Sequence, residues 1–165
     1  MTHCRIMSSN SSPPADSDDH RQAYATALRL LARREHSVQE LYHKLKGRQC
    51  PADVADEVVA ALVAEGALSD RRFAEGYVQS RFERGFGPLR IRAELRERGI
   101  GEALAEQALV EYEGEWTASA WHQRHKRFGD EAPADFNQRV KQMRFLQQRG
   151  FGHEQIRTTF KNEPE

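Results

Sequence analysis

The sequence predicts an all-α protein, an elongated tandem array of three-helix, helix–turn–helix-like repeats whose third repeat is irregular. Three observations carry this expectation. The tetrapeptide Arg84-Gly85-Phe86-Gly87 returns as Arg149-Gly150-Phe151-Gly152, with Ile91 and Leu95 after the first copy and Ile156 and Phe160 at the same offsets after the second. A weaker copy, Arg34-Glu35-His36-Ser37, precedes Leu41 and Leu45. Second, Val54, Val58 and Leu62 recur fifty positions later as Leu104, Ala108 and Tyr112, and a period near 50 residues marks a repeat array. Third, the 165 residues are 38% hydrophobic and 30% charged, and helix formers dominate over β-branched alternation.

Each tetrapeptide is read as a corner between two helices. Gly85 and Gly150 suit the left-handed position after a helix, and Phe86 and Phe151 follow where an apolar side chain folds back on the last turn. Gly87 and Gly152 then stand as N-caps, with Pro88 at the first helical position, where its missing N–H does no harm. In the first copy Ser37 is the N-cap and Glu40 completes a capping box. Glu35 replaces glycine there, and a left-handed glutamate is strained.

Taken in order, residues 1–20 are rich in serine, proline and aspartate and are expected to be a disordered tail. The first unit, 21–66, opens with a helix from about His20 to Arg34 that turns Tyr24, Leu28 and Leu31 inward. A second helix from Ser37 buries Leu41 and Leu45, and a third after Pro51 carries Val54, Val58 and Leu62 and stops at Gly66. In the second unit, 67–114, Ser69 or Asp70 caps a helix bearing Phe73 and Tyr77 that ends at Arg84. Helices 88–98 and 101–113 follow, the latter with Leu104, Ala108 and Tyr112 inward. The third unit, 115–165, begins with an added helix, Trp116–Phe128, broken at Gly129–Pro133. Another helix runs from about Asp135 to Arg149, with Val140, Met143 and Phe145 partly inward, and 153–161 closes the fold. Matching 149–152 to 84–87 leaves no counterpart of the third helices, so Trp116–Phe128 is expected to fill that place.

The formal net charge is zero, but its sign alternates: +5 over 21–48, −4 over 49–66, +3 over 67–99, −5 over 100–115 and +4 over 116–150. The longest apolar run, Val58–Ala64, is too short to span a bilayer, and no apolar leader segment opens the chain, so no membrane and a cytoplasmic setting are expected. Two cysteines, Cys4 and Cys50, make neither a disulfide framework nor a zinc motif.

Catalytic patterns are lacking. Gly85-Phe86-Gly87 has no preceding strand and no following Gly-Lys-Ser/Thr, so it is not a phosphate loop. His122 and His125 lie one turn apart but have basic neighbours and no third ligand at a helpful spacing; they are read as surface histidines of a basic helix, and no metal or cofactor is expected. Trp116 and Trp121, five apart, cannot both point inward, so one is expected in the core and the other at a module joint or partner surface.

The arginines are the candidate binding residues: Arg81, Arg84, Arg90, Arg92, Arg96, Arg144 and Arg149. Arg92 and Arg96 share one flank of the Ile91–Leu95 helix and Arg90 takes the other, while Arg81 and Arg84 end the preceding helix close by. About half should cap carbonyls or pair with Glu94 and Glu97; the rest would form a basic stripe for phosphates or acidic protein.

The run Ala27–Ser37 with Glu40-Leu41 and Lys44-Leu45, the run Gly66–Ala74, the run Gly85–Leu95, and Arg144–Phe151 with Ile156-Arg157 resemble the bacterial RecX regulatory proteins, in order and at family spacing over about residues 22–161. Residues 1–21 and Trp116–Pro133 resemble the family only loosely. The resemblance implies an array of three-helix modules and a non-enzymatic activity, the modulation and usually inhibition of the RecA recombinase in DNA repair and the SOS response. It implies a protein lying along the groove of the RecA–single-stranded DNA filament, meeting the DNA through the filament, and restraining filament growth, ATP hydrolysis, strand exchange and coprotease action. A monomer is expected. The alternative is a duplex-DNA-binding helix–turn–helix protein, which normally sets a basic recognition helix in the major groove; the acidic third helices, 51–65 and 101–113, oppose it.

Overall fold

The structure, a computed structural model, describes residues 18–161. Among the described residues there are nine α-helices and no strand. They are α1 (Asp18–Leu31), α2 (Val38–Lys46), α3 (Ala52–Ala64), α4 (Asp70–Glu83), α5 (Pro88–Glu97), α6 (Glu102–Val110), α7 (Trp116–Phe128), α8 (Phe136–Arg149) and α9 (His153–Lys161). None of these is long and apolar enough to cross a membrane. Most of the expected tail, and Cys4, lie outside the described residues. Asp18–His20 do not belong to a tail, because they form the first turn of α1, where Asp18 and Asp19 sit favourably at the positive end of the helix dipole.

The helices form three triads, α1–α3, α4–α6 and α7–α9, and in each the first helix packs most extensively on the third. This corrects the expected register of the third unit. No third helix is missing: α9 is that helix and α7 is the first. The repeated tetrapeptide misleads because it specifies a local corner, not a place in the triad. Residues 84–87 join a first helix to a second, whereas 149–152 join a second to a third. The irregularity lies in α8, 14 residues long where α2 and α5 have 9 and 10.

The corners themselves form as expected. Gly85 and Gly150 have φ of +75° and +91°. Phe86 N–H donates to the Arg81 carbonyl and Phe151 N–H to that of Leu146, both at 3.1 Å, closing a six-residue loop over each helix end. Gly87 caps α5 with Pro88 at its start, and Gly152 N–H donates to Gln155 Oε1 at the head of α9.

The first corner differs. α1 stops at Leu31, three residues short of Arg34, and the looser turn spares Glu35 a positive φ. Among the described residues the left-handed non-glycine is Gln49, at +66°, which ends α2 where Gly99 ends α5. Only half of the capping box forms. Ser37 Oγ accepts from Glu40 N–H at 3.1 Å, but the Glu40 carboxylate is drawn to Arg34, whose Nη1 donates to Oε2 at 2.9 Å. The inward face of α1 is also displaced: Ala23 and Ala27 are buried while Leu28 is 42% exposed. Small side chains let α1 approach α3, where Ala55 and Val58 are fully buried.

Two apolar cores result. One belongs to the first triad and includes Ala27, Leu41, Leu45, Val54, Val58 and Leu62. The other runs without a break through the second and third triads, from Phe73, Ile91 and Leu95 to Trp116, Leu146, Phe151, Ile156 and Phe160. Trp116 is the buried tryptophan, set edge-on to Phe82 with ring centroids 5.2 Å apart, and Trp121 is 44% exposed and stacked on His125. The expected surface pair forms only in part: His122 is exposed, but His125 is half-buried, stacked on Trp121 with Nε2 2.9 Å from Asp130 Oδ1. Gln123 is buried, and Arg124 is buried beneath the third triad with Nε donating to Gln142 Oε1 (2.7 Å) and Nη2 to the Glu131 carbonyl (3.1 Å).

Candidate functional site

The corners also join the triads to one another. Ser37 Oγ, in the first corner, donates to the carbonyl of Arg98 at the end of α5 (2.7 Å). Fifty positions on, Gly87 N–H donates to the carbonyl of Arg149 at the end of α8 (2.8 Å). The glycine after each of those helices nests on the preceding triad's second helix, Gly99 against Gln39 and Gly150 against Arg90. The same joint is therefore built twice, and at the second joint the two Arg-Gly-Phe-Gly copies meet backbone to backbone. A methyl group on Gly87 would stand 2.4 Å from the carbonyl carbon of Gly150, and one on Gly85 would overlap the amide of Gln123.

This second joint gathers the sequence-predicted cations around Phe86. The guanidinium carbons of Arg81, Arg90 and Arg149 lie 5.4, 4.3 and 5.5 Å from its ring centroid. Arg149 Nη1 donates to the carbonyls of Arg84 (3.1 Å) and Gly85 (3.2 Å), and its Nε is buried with no hydrogen-bond partner among the described residues. Burial, with Arg90 and Arg127 nearby, pulls the Arg149 guanidinium below its ordinary value. Arg149 is thus a clamp on the end of α4. Arg81 donates to Tyr77 Oη and pairs with Glu94 at 2.8 Å; Arg90 pairs with the same carboxylate at 3.0 Å. Burial opposes the charge on Glu94, but hydrogen bonds from Tyr77 and Arg90 and the positive charge around it outweigh burial and hold its carboxyl below the usual range.

The remaining candidates are dispersed. Arg92 is half-buried and bidentate to Glu106 on α6, one contact being Nη2 to Oε2 at 3.0 Å, so its charge is met within the triad. Arg84, Arg96 and Arg144 are exposed, and their side chains make no ion pair among the described residues.

Arg144 opens onto a feature that the sequence reading passed over, a groove of about 630 Å³ between the end of α7 and one face of α8. Arg127, Lys141 and Arg144 supply its charge, Phe128, Phe136 and Phe145 its apolar wall, and no carboxylate among the described residues lines it. The signal was present: Phe136, Val140, Lys141, Arg144, Phe145 and Gln148 recur at the spacing of one helix face. A second, smaller groove in the first triad is lined by Arg29, Arg33 and Arg48, again without a carboxylate among the described residues. Among the described residues no group of three or more His, Cys, Asp or Glu could hold a metal ion.

Comparison with known proteins bears directly on these triads. Family models for the first, second and third three-helix domains of RecX match residues 23–62, 69–109 and 113–160, in that order. The chain belongs to the RecX family. Its third match begins just ahead of α7 and ends in α9, in agreement with the register read from packing. A protein named regulatory protein RecX from Halorhodospira halophila is 47% identical over 131 residues, 79% of this chain and 81% of that one. A protein of the same name from Xanthomonas oryzae is 41% identical over 138 residues, 84% of this chain and 86% of its own length. The crystal structure of RecX from Lactobacillus salivarius superposes with a TM-score of 0.76 over 87% of this chain and 96% of that one, at 24% identity, which speaks to the fold alone. The RecX family is one of regulatory proteins, not of enzymes.

Proposed function

We propose that this RecX-family chain binds the RecA–single-stranded DNA filament and restrains its ATPase, strand-exchange and coprotease activities, acting in the bacterial cytoplasm as a monomer. The observation that carries this reading is the ordered match of all three RecX domains across residues 23–160. The geometry is in keeping with it. Triads joined through a repeated corner form an extended interaction surface, as in other repeat proteins. Arg84, Arg96 and Arg144 retain charge that no carboxylate among the described residues meets, so they are the residues to test at the interface.

A duplex reader has less in its favour. α6 would present Glu102 and Glu106 to phosphate, and Glu106 is already held by Arg92.

The test is RecA ATP hydrolysis on single-stranded DNA with substoichiometric chain added. Hydrolysis and strand exchange should fall, and Arg84→Glu with Arg96→Glu should weaken the effect while leaving helicity intact. Hydrolysis and exchange untouched at every ratio would overturn the reading. Tight, sequence-selective binding to a duplex without RecA would replace it with the alternative.

A further inference from the structure

We infer that the groove between α7 and α8 is itself a binding site for single-stranded nucleic acid, able to hold a strand without any filament. Its volume, about 630 Å³, lies within the roughly 300–1,000 Å³ common for ligand clefts. Among the described residues Arg127, Lys141 and Arg144 make no ion pair, and no carboxylate lines the space that their positive charge faces. A cleft of that sign selects a polyanion.

The aromatic residues narrow the choice further. Phe128 and Phe145 pack edge to face at 5.3 Å and form a wall, but Phe136, at the first position of α8, is 78% exposed. A phenyl ring displayed beside three cations is a stacking platform for an unpaired base. A duplex hides its base faces and could use only the cations, and a peptide of acidic residues alone has no flat group for the ring, whereas every nucleotide of a single strand brings both a phosphate and a flat base. The neighbouring Asp135 keeps its charge but does not line the groove; its carboxylate accepts the Gln138 N–H at 2.7 Å as the cap of α8. Phosphates on Arg127, Lys141 and Arg144 with a base on Phe136 use the three cations and the exposed ring, and Asn137 and Gln148 add polar groups at the same lining. The inference stands apart from the filament reading, since the chain alone binds the strand.

The experiment is fluorescence anisotropy of a labelled oligo-dT with the full chain at several salt concentrations and no RecA. Phe136→Ala should weaken binding about tenfold, the low-to-middle range for one stacked base, without changing the salt dependence. Phe136→Trp should restore it. Lys141→Gln with Arg144→Gln should instead flatten the slope of log K against log salt by about 1.4, or ~0.7 for each phosphate released. Three results would overturn the inference: wild-type chain that does not bind oligo-dT, variants that bind as wild type does, or polyglutamate or duplex DNA that displaces the label as well as unlabelled oligo-dT. If one of these results rejects the groove while the wild-type chain still restrains the filament, the proposed function stands without it.

Discussion

His36 occupies the position that Phe86 holds fifty residues later, and the exchange makes the first corner sensitive to protons. The ring is buried. Its Nδ1–H donates to the Arg34 carbonyl at 2.9 Å, and Nε2 accepts from the Lys44 ammonium at 3.0 Å, so this is the neutral imidazole. Burial lowers its pKa most; the Arg34 bond works the other way, and the charges of Arg34 and Lys44 lower it further. The folded value therefore lies below the unfolded one of about 6.5. As pH falls below about 6.5 the unfolded chain takes the proton first, so His36 supports the fold at neutral pH and loses that support on the way down to its folded pKa. Denaturation midpoints measured from pH 7.5 to 5 should show a steeper decline for wild type than for His36→Phe. Equal slopes would remove His36 from the pH dependence. Residue-scale strain was only partly legible in the sequence. A non-glycine in a left-handed corner was foreseen at Glu35, but the early stop of α1 relieved that site and Gln49 carries it. Where a helix ends depends on what its last turn packs against, which propensity does not contain.

Corners and their glycines belong to the scale of the element. Arg-Gly-Phe-Gly was legible as a helix stop followed by a helix start, since a left-handed glycine, a folded-back phenyl and a second glycine leave little else to build. Its second use was not legible. Gly87 has an ordinary negative φ and could be any small residue on conformational grounds; it must be glycine because the Gly150 peptide lies where a Cβ would be. Gly76, inside α4 with open space around it, gives the contrast. Gly87→Ala should therefore destabilise the fold by about 1–3 kcal/mol through overpacking. Gly76→Ala should stabilise it by roughly 0.5–1 kcal/mol through helix propensity. Urea denaturation of the two variants beside wild type is the check, and shifts of the same sign would mean that the joint yields freely. The candidate site suffered from the same limit. Seven arginines were legible as a basic set, but which of them find an internal carboxylate is decided by how helices pack. Arg92 meets Glu106 across α5 and α6, and Arg81 meets Glu94 across α4 and α5.

At the scale of the whole molecule the two joints differ in kind. The second is continuous with an apolar core that runs from Phe73 to Phe160, so α4–α9 should unfold together. The first is polar. Besides Ser37 and Arg98, Val38 N–H donates to Asp70 Oδ1 at 2.8 Å, and Arg72 ties Glu35 to the carbonyls of Gly66 and Ala67. Such bonds contribute about 1 kcal/mol each, and exposed ion pairs less, which fixes an orientation better than it couples two cores. The chain should thus behave as two cooperative units, α1–α3 and α4–α9. Both tryptophans, Trp116 and Trp121, lie in the second unit, so their fluorescence reports on it alone, whereas far-UV circular dichroism follows helices in both. The two probes should give non-coincident denaturation curves. Leu62→Ala, at a fully buried position of the first unit, should destabilise that unit by about 2–5 kcal/mol and move the dichroism curve while the fluorescence midpoint stays in place. Leu95→Ala, fully buried in the second unit, should move the fluorescence midpoint directly. If Leu62→Ala shifts the tryptophan transition as far as Leu95→Ala does, the polar joint couples all three triads and the chain unfolds as one.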